Sequence, residues 1–163
     1  MGQILTFKLN GADTEVLING DETLLDVLRG RLSITSLKCG CNHGDCGACT
    51  IHLNGRAAKA CTVLAATATG ARVNTLESLF LGGDLHPLQK AFIDFNAPQC
   101  GYCTPGMLMA ASAFLSSAEN PSEPEIREAL GGNLCRCTGY NQYIEAIMAV
   151  AEGNYGPLPK RGA

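Results

Sequence analysis

Among the 163 residues of this chain, nine cysteines offer the most chemistry. Four of them form one set: Cys41, Cys46 and Cys49, with four and then two residues between them, and Cys61 beyond eleven more. Three thiolates on one short loop can wrap a flat two-iron rhomb, and a fourth from a neighbouring strand closes it; this is the spacing of a plant-type [2Fe–2S] site. Gly40, Gly44 and Gly47 alternate with these cysteines. Glycine accepts positive φ and close backbone approach, so such a loop can fold round a cluster and turn its N–H groups toward the sulfurs. A structural zinc site would instead divide its ligands between two Cys-x2-4-Cys knuckles. Cys39 falls outside the spacing and reads as a small buried thiol.

A second set joins Cys100 and Cys103, two residues apart, with Cys135 and Cys137, one residue apart. By spacing alone these four suit either a second iron–sulfur cluster or a zinc ion. Both pairs fall at expected helix boundaries, so two inter-helix loops can converge on one point, and helix N-terminal N–H groups near Cys103 favour an anionic occupant. The histidines carry less. His43 sits in a loop already supplied with four thiolates and reads as exposed, and His52 and His86 read as surface residues. No residues combine a nucleophile with a base and oxyanion donors, and no glycine-rich segment matches a dinucleotide or phosphate-binding fingerprint. The chain itself is therefore expected to hold no substrate chemistry.

The elements that must position these thiols change character along the chain. All seven prolines lie from Pro87 onward. In the first half, Ile4 to Leu9 and Thr14 to Ile18 are β-prone runs joined through Asn10-Gly11, and Ile51 to Leu53 meets a second turn at Asn54-Gly55. Between them, Thr23 to Leu28 has a cap-like residue and helical apolar spacing closed by Gly30, which predicts one helix across a small mixed sheet. In the second half four short helices are expected. The first runs to Pro98, the second begins with Thr104 as N-cap and Pro105 behind it, the third follows Ser122, and the fourth covers Tyr143 to Ala151. The reading divides the chain into 1–79, a linker over 80–84 with Gly82-Gly83 as its flexible point, a helical domain over 85–152, and a tail over 153–163 that forms an extended arm on a partner.

A net charge of -3 and a pI near 5.6 leave no bulk basic surface for a nucleic acid or an anionic membrane. The N-terminus lacks a basic segment followed by an apolar one, and no apolar run reaches the roughly 20 residues of a membrane helix. A soluble, cytoplasmic chain is expected, where thiols stay reduced and clustered ones bind metal.

Three segments together resemble the small iron–sulfur subunit of the molybdenum hydroxylases, the xanthine oxidase and aldehyde oxidoreductase family: 38–50, with Lys38-Cys39-Gly40-Cys41 and Cys46-Gly47-Ala48-Cys49-Thr50; 99–107, with Gln99-Cys100-Gly101-Tyr102-Cys103-Thr104-Pro105-Gly106-Met107; and 132–140, with Gly132-Asn133-Leu134-Cys135-Arg136-Cys137-Thr138-Gly139-Tyr140. The resemblance covers residues 3–152. It implies an α+β chain in which an N-terminal β-grasp, plant-type ferredoxin domain precedes a C-terminal four-helix [2Fe–2S] domain, with one cluster on Cys41, Cys46, Cys49 and Cys61 and another on Cys100, Cys103, Cys135 and Cys137. It further implies a large partner subunit carrying a molybdopterin cofactor, which Gln99 and Cys137 approach, and in many members a third, FAD-binding subunit. The expected role is electron transfer from the molybdenum site, through the helical-domain cluster and then the plant-type one, to FAD or an external acceptor. The family usually has another residue at the position of Cys39.

Overall fold

The computed structural model describes residues 2–80 and 83–158. Strands β1 (Gly2–Leu9) and β2 (Ala12–Asn19) form an antiparallel hairpin, turning at Asn10 and Gly11 with φ of 50° and 87°. Two consecutive positive φ values make the two-residue turn that follows the natural twist of paired strands. Asn54 and Gly55, at 51° and 81°, repeat it between β3 (Thr50–Leu53) and β4 (Arg56–Lys59). Strand β5 (Arg72–Asn74) lies parallel to β1 and antiparallel to β3, giving a mixed five-stranded sheet in the order β2-β1-β5-β3-β4. With only three residues, β5 has too short an apolar alternation to be read from sequence.

The expected first helix is a single turn, α1 (Leu24–Asp26), capped by Thr23 in a capping box with Asp26. It continues as a wider π-helical turn over Val27–Arg31, so Gly30 lies inside that turn and does not close the helix. Leu24, Leu25, Val27 and Leu28 bury against Leu5, Ile18, Ile51 and Val73 to form the first core.

The second half holds α2 (Pro87–Asp94), α3 (Thr104–Leu115), α4 (Glu123–Ala129) and α5 (Tyr140–Ala151). Ser122 and Glu125 make the capping box that starts α4. Helix α3 begins one residue earlier than expected: Cys103 is its N-cap, which releases the Thr104 hydroxyl for another partner. Helix α5 likewise begins a turn before Tyr143. Leu88, Phe92, Met107, Ile126, Tyr143 and Ile147 form the second core. Leu76 and Leu79 already pack on it, before the expected linker over 80–84, of which Leu81 and Gly82 lie outside the described residues. The described part of the tail turns back onto α2, with Tyr155 donating to Asp94 Oδ2 at 3.0 Å, while Pro159 to Ala163 lie outside the described residues.

Helix α3 packs across β3 and β4, so the sheet is covered by α1 on one face and by the helical half on part of the other. His52 reaches across this junction, its Nε2 lying 2.8 Å from the Met109 carbonyl and 3.1 Å from Ser112 Oγ. His86 is only 7% exposed and caps α2 by accepting the Leu88 N–H at Nδ1, 3.2 Å away. Neither histidine is therefore a plain surface residue; the fold of the two halves onto each other buries side chains whose local sequence is polar.

Burial, with His52 adding to it, holds His86 down from 6.5 to about 4. Folding thus favours the neutral ring. Its stabilisation is complete above the unfolded value and is lost as pH falls from 6.5 towards about 4, where a proton on Nδ1 also removes the cap. His86→Asn, which can still cap, should flatten this loss by about 2 kcal/mol after allowance for solvent screening, measured as the pH dependence of the thermal midpoint across that window.

Candidate metal centres

The loop after α1 is fixed before it reaches the first cysteines. Arg29 donates to the carbonyls of Thr35 and Leu37, and the Lys38 N–H donates to the Ala48 carbonyl at 3.1 Å. Residues 39–49 therefore form a closed loop whose ends are joined. Within it the N–H groups of Cys46 and His43 donate to Cys41 Sγ at 3.4 and 3.5 Å. These two donors draw the Cys41 thiol down to about 6. Cys61 enters from the turn after β4, beside Cys49. Burial and the adjacent Cys49 push it up to about 11, although the Gly44 N–H donates to its sulfur. Gly40 has no room for a side chain, since a Cβ there would stand 2.9 Å from Cys46 Sγ.

The thiols of the first set meet two by two, Cys41 with Cys46 and Cys49 with Cys61. The second set does the same. Burial pushes Cys103 up to about 11 beside Cys135, and Cys137 is raised by Cys100. Cys135 is opposed by burial yet ends lowered, because the Gly139 N–H and the Cys103 thiol donate to it, with smaller help from the Cys137 and Thr138 N–H groups. Among the described residues no three His, Cys, Asp or Glu side chains converge on one point as a single-ion site requires. Four thiols in two pairs, with backbone N–H groups turned toward the sulfurs, are the donor set of a [2Fe–2S] rhomb, which takes two thiolates at each iron. The residues present fit two such clusters, and the pairing favours them over zinc at the second site.

All eight expected ligands are thus brought into two groups, and Cys39 into neither. Cys39 is exposed, not buried as expected; its carbonyl accepts from the Tyr102 hydroxyl at 2.9 Å, which ties the first loop to the second site. His43 is exposed as expected and pairs with Asp45 at 2.8 Å. Gln99 is exposed, with Nε2 beside Gly139 and hence beside the Cys137 loop.

The two loops touch directly. The Leu134 N–H donates to the Cys46 carbonyl at 2.9 Å, and Asn133 Nδ2 donates to the Gly47 carbonyl at 3.0 Å. This contact joins the residue before Cys135 to a cysteine of the first set. In the sequence Asn133 and Leu134 stand out only as parts of a motif, because nothing local marks a residue whose partner lies more than eighty positions away. The approach depends on Gly47, at φ 69°, where a Cβ would lie 2.7 Å from Asn133 Nδ2 and collide with the Gly132 carbonyl, and on Gly106, where it would strike the Gly47 carbonyl.

Gly106→Ala tests this packing. Alanine is the better helix former by about 1 kcal/mol, so overpacking alone can make the variant worse. A net destabilisation of about 1–3 kcal/mol in denaturant unfolding is expected; an unchanged or improved midpoint would show that the two loops are not in tight contact.

Residues 7–94 match the family described as "2Fe-2S iron-sulfur cluster binding domain", and residues 75–148 match "[2Fe-2S] binding domain". The chain is 46% identical over 141 residues to the nicotine 6-hydroxylase small subunit of Paenarthrobacter nicotinovorans, covering 86% of this chain and 85% of that one. It is 40% identical over 148 residues to the nicotinate dehydrogenase small FeS subunit of Eubacterium barkeri, covering 91% and 94%. Its fold superposes on a chain of quinoline 2-oxidoreductase from Pseudomonas putida 86 with a TM-score of 0.89 at 40% identity, over 93% of this chain and 95% of that one. With two [2Fe–2S] family matches on the two thiol-bearing halves and relatives similar over most of their length, the chain belongs to the family of small iron–sulfur subunits of the molybdenum hydroxylases.

Proposed function

We propose that this chain relays single electrons from a molybdopterin site, held by a large partner subunit, to FAD or an external acceptor, and performs no substrate chemistry itself. The observation that carries this reading is the 2.9 Å hydrogen bond from Leu134 N–H to the Cys46 carbonyl, which joins the two thiol sets through a few covalent bonds and one hydrogen bond. A [2Fe–2S] cluster, when bound, takes up and releases one electron at a time at a potential set by its hydrogen bonds and burial. Cys41, Cys46, Cys49 and Cys61 on the sheet domain would hold one, and Cys100, Cys103, Cys135 and Cys137 on the helical domain the other.

The residues of the chain supply position, donors and exclusion of water. Cys49, Cys61, Cys103 and Cys135 are buried, whereas Cys100 and Gln99 are exposed on one edge of the helical site. That edge is the natural docking side for the molybdopterin subunit, with Gln99 as a hydrogen-bond partner for the pterin and Cys137 beside it. The order of relay then runs from the helical site to the sheet site. Relatives named for nicotine, nicotinate and quinoline support an N-heterocyclic aromatic as the substrate of the assembled enzyme. No described helix is long and apolar enough to cross a membrane.

Two measurements test the proposal. The purified chain should contain about four irons and four acid-labile sulfides, with two electron paramagnetic resonance signals after reduction. Cys137→Ser should abolish one signal and leave the plant-type one; iron without a second signal, or zinc in its place, would reject the two-cluster reading. In the assembled enzyme Gln99→Ala should leave both signals in place and slow reduction of the clusters by substrate, and an unchanged rate would remove Gln99 from the pterin contact.

A further inference from the structure

Apart from the contacts between paired cysteines, the hydrogen bonds that reach thiol sulfurs among the described residues come from backbone N–H groups, with one exception deep in the helical half. The Tyr143 hydroxyl lies 3.6 Å from Cys103 Sγ and 2.8 Å from Thr104 Oγ1. Tyr143 stands one turn into α5 and Thr104 at the first position of α3, so the N-terminal ends of the two helices meet over this sulfur. Tyr143 is 1% exposed and Cys103 9%, and the ring is held edge-on against Phe92 with centroids 5.0 Å apart. Water therefore does not compete for the contact, and the ring has no freedom to turn away.

The protons can be assigned from the chemistry of the sulfur. A cysteine bound to iron is a thiolate and has no hydrogen to give, so the contact exists only if the tyrosine donates. A phenol has a single proton; once it points at sulfur, the Tyr143 oxygen is left as an acceptor for the Thr104 hydroxyl. The chain of donors runs from Thr104 to Tyr143 to Cys103, each bond polarising the next in a low-dielectric setting.

We propose that Tyr143 tunes the helical-domain cluster: its hydroxyl donates to the Cys103 thiolate and raises the reduction potential of that cluster relative to one lacking the bond. A hydrogen bond to a ligand sulfur strengthens as negative charge builds on it, so it favours the reduced state. Tyr143 is thus a positioning residue acting through Cys103, and it sets how readily the helical site accepts an electron without touching a substrate.

The proposal rests on Cys103 being an iron ligand. The test is a potentiometric titration of the loaded protein, followed by electron paramagnetic resonance. Tyr143→Phe keeps the ring against Phe92 and removes only the hydroxyl. The helical-domain signal should titrate at a lower potential, with its reduction equilibrium shifted roughly threefold to tenfold toward the oxidised state, or about 30 to 60 mV at 59 mV per decade. The plant-type signal should not move. Because Tyr143→Phe could impair cluster assembly, 3-fluorotyrosine placed at position 143 alone serves as a second variant: the more acidic phenol is a stronger donor and should shift the same signal to higher potential. An unshifted helical-domain signal with either variant overturns the role of Tyr143 and leaves the relay intact. Absence of that signal from the unsubstituted protein would instead reject Cys103 as a ligand.

Discussion

Gly47 stands where two stretches of backbone come closer than any Cβ would permit. Its own loop carries Cys46 and Cys49, and against it lie the Gly132 carbonyl, the Asn133 side chain and the face of α3 at Gly106. Glycine on both sides of this contact lets the loops meet carbonyl to N–H, without side chains between them. Everything that makes the molecule more than two separate thiol sites follows from that approach. The Leu134 to Cys46 bond, the Asn133 bond to Gly47 and the seat of α3 on β3 all need the two backbones at this distance.

The junction is specified by polar groups more than by apolar area. Each half has its own apolar core, one under α1 and one among the four helices. Between them, His52 meets Met109 and Ser112, Asn133 meets Gly47 and Thr50, and Tyr102 meets Cys39. Such bonds add modestly to stability but are costly to leave unmade once buried, so they select one relative placement of the halves. For the proposed relay this is the useful property, because electron exchange depends on a fixed separation and a two-core chain could otherwise dock in several ways.

The two thiol sets sit in different surroundings. The first is wrapped by a glycine-rich loop whose amides face Cys41, and it lies near the surface, with His43 and Asp45 exposed beside it. The second is built at helix ends, with Cys103 and Cys135 buried and Cys100 exposed. Burial opposes the negative charge of a cluster and donors favour it. Where a buried sulfur receives a side-chain donor, as Cys103 does, the two effects act against each other on the same atom.

Much of this was legible in the sequence because it is local. Cys41, Cys46 and Cys49 lie on one loop, so their spacing alone fixes what they can wrap; Asn10-Gly11 and Asn54-Gly55 make their turns with residues in hand; Ser122 and Glu125 cap their own helix. Partners distant in the chain were not legible. His52 and His86 read as surface residues because their neighbours are polar, and only the packing of α3 on the sheet and of α2 beside it buries them. Cys39 read as buried and is exposed, since nothing in its spacing says which way the loop turns it. Thr104 read as a helix cap, but α5 brings Tyr143 to its hydroxyl, and Cys103 is the N-cap instead. The sequence by itself determined which thiols stand close enough to form candidate ligand groups, since the spacing within Cys41/Cys46/Cys49, Cys100/Cys103 and Cys135/Cys137 is a property of a few consecutive bonds. Only the tertiary structure decided how the two sites face each other and which hydroxyl reaches a sulfur, since those contacts join residues that approach only when both cores have formed.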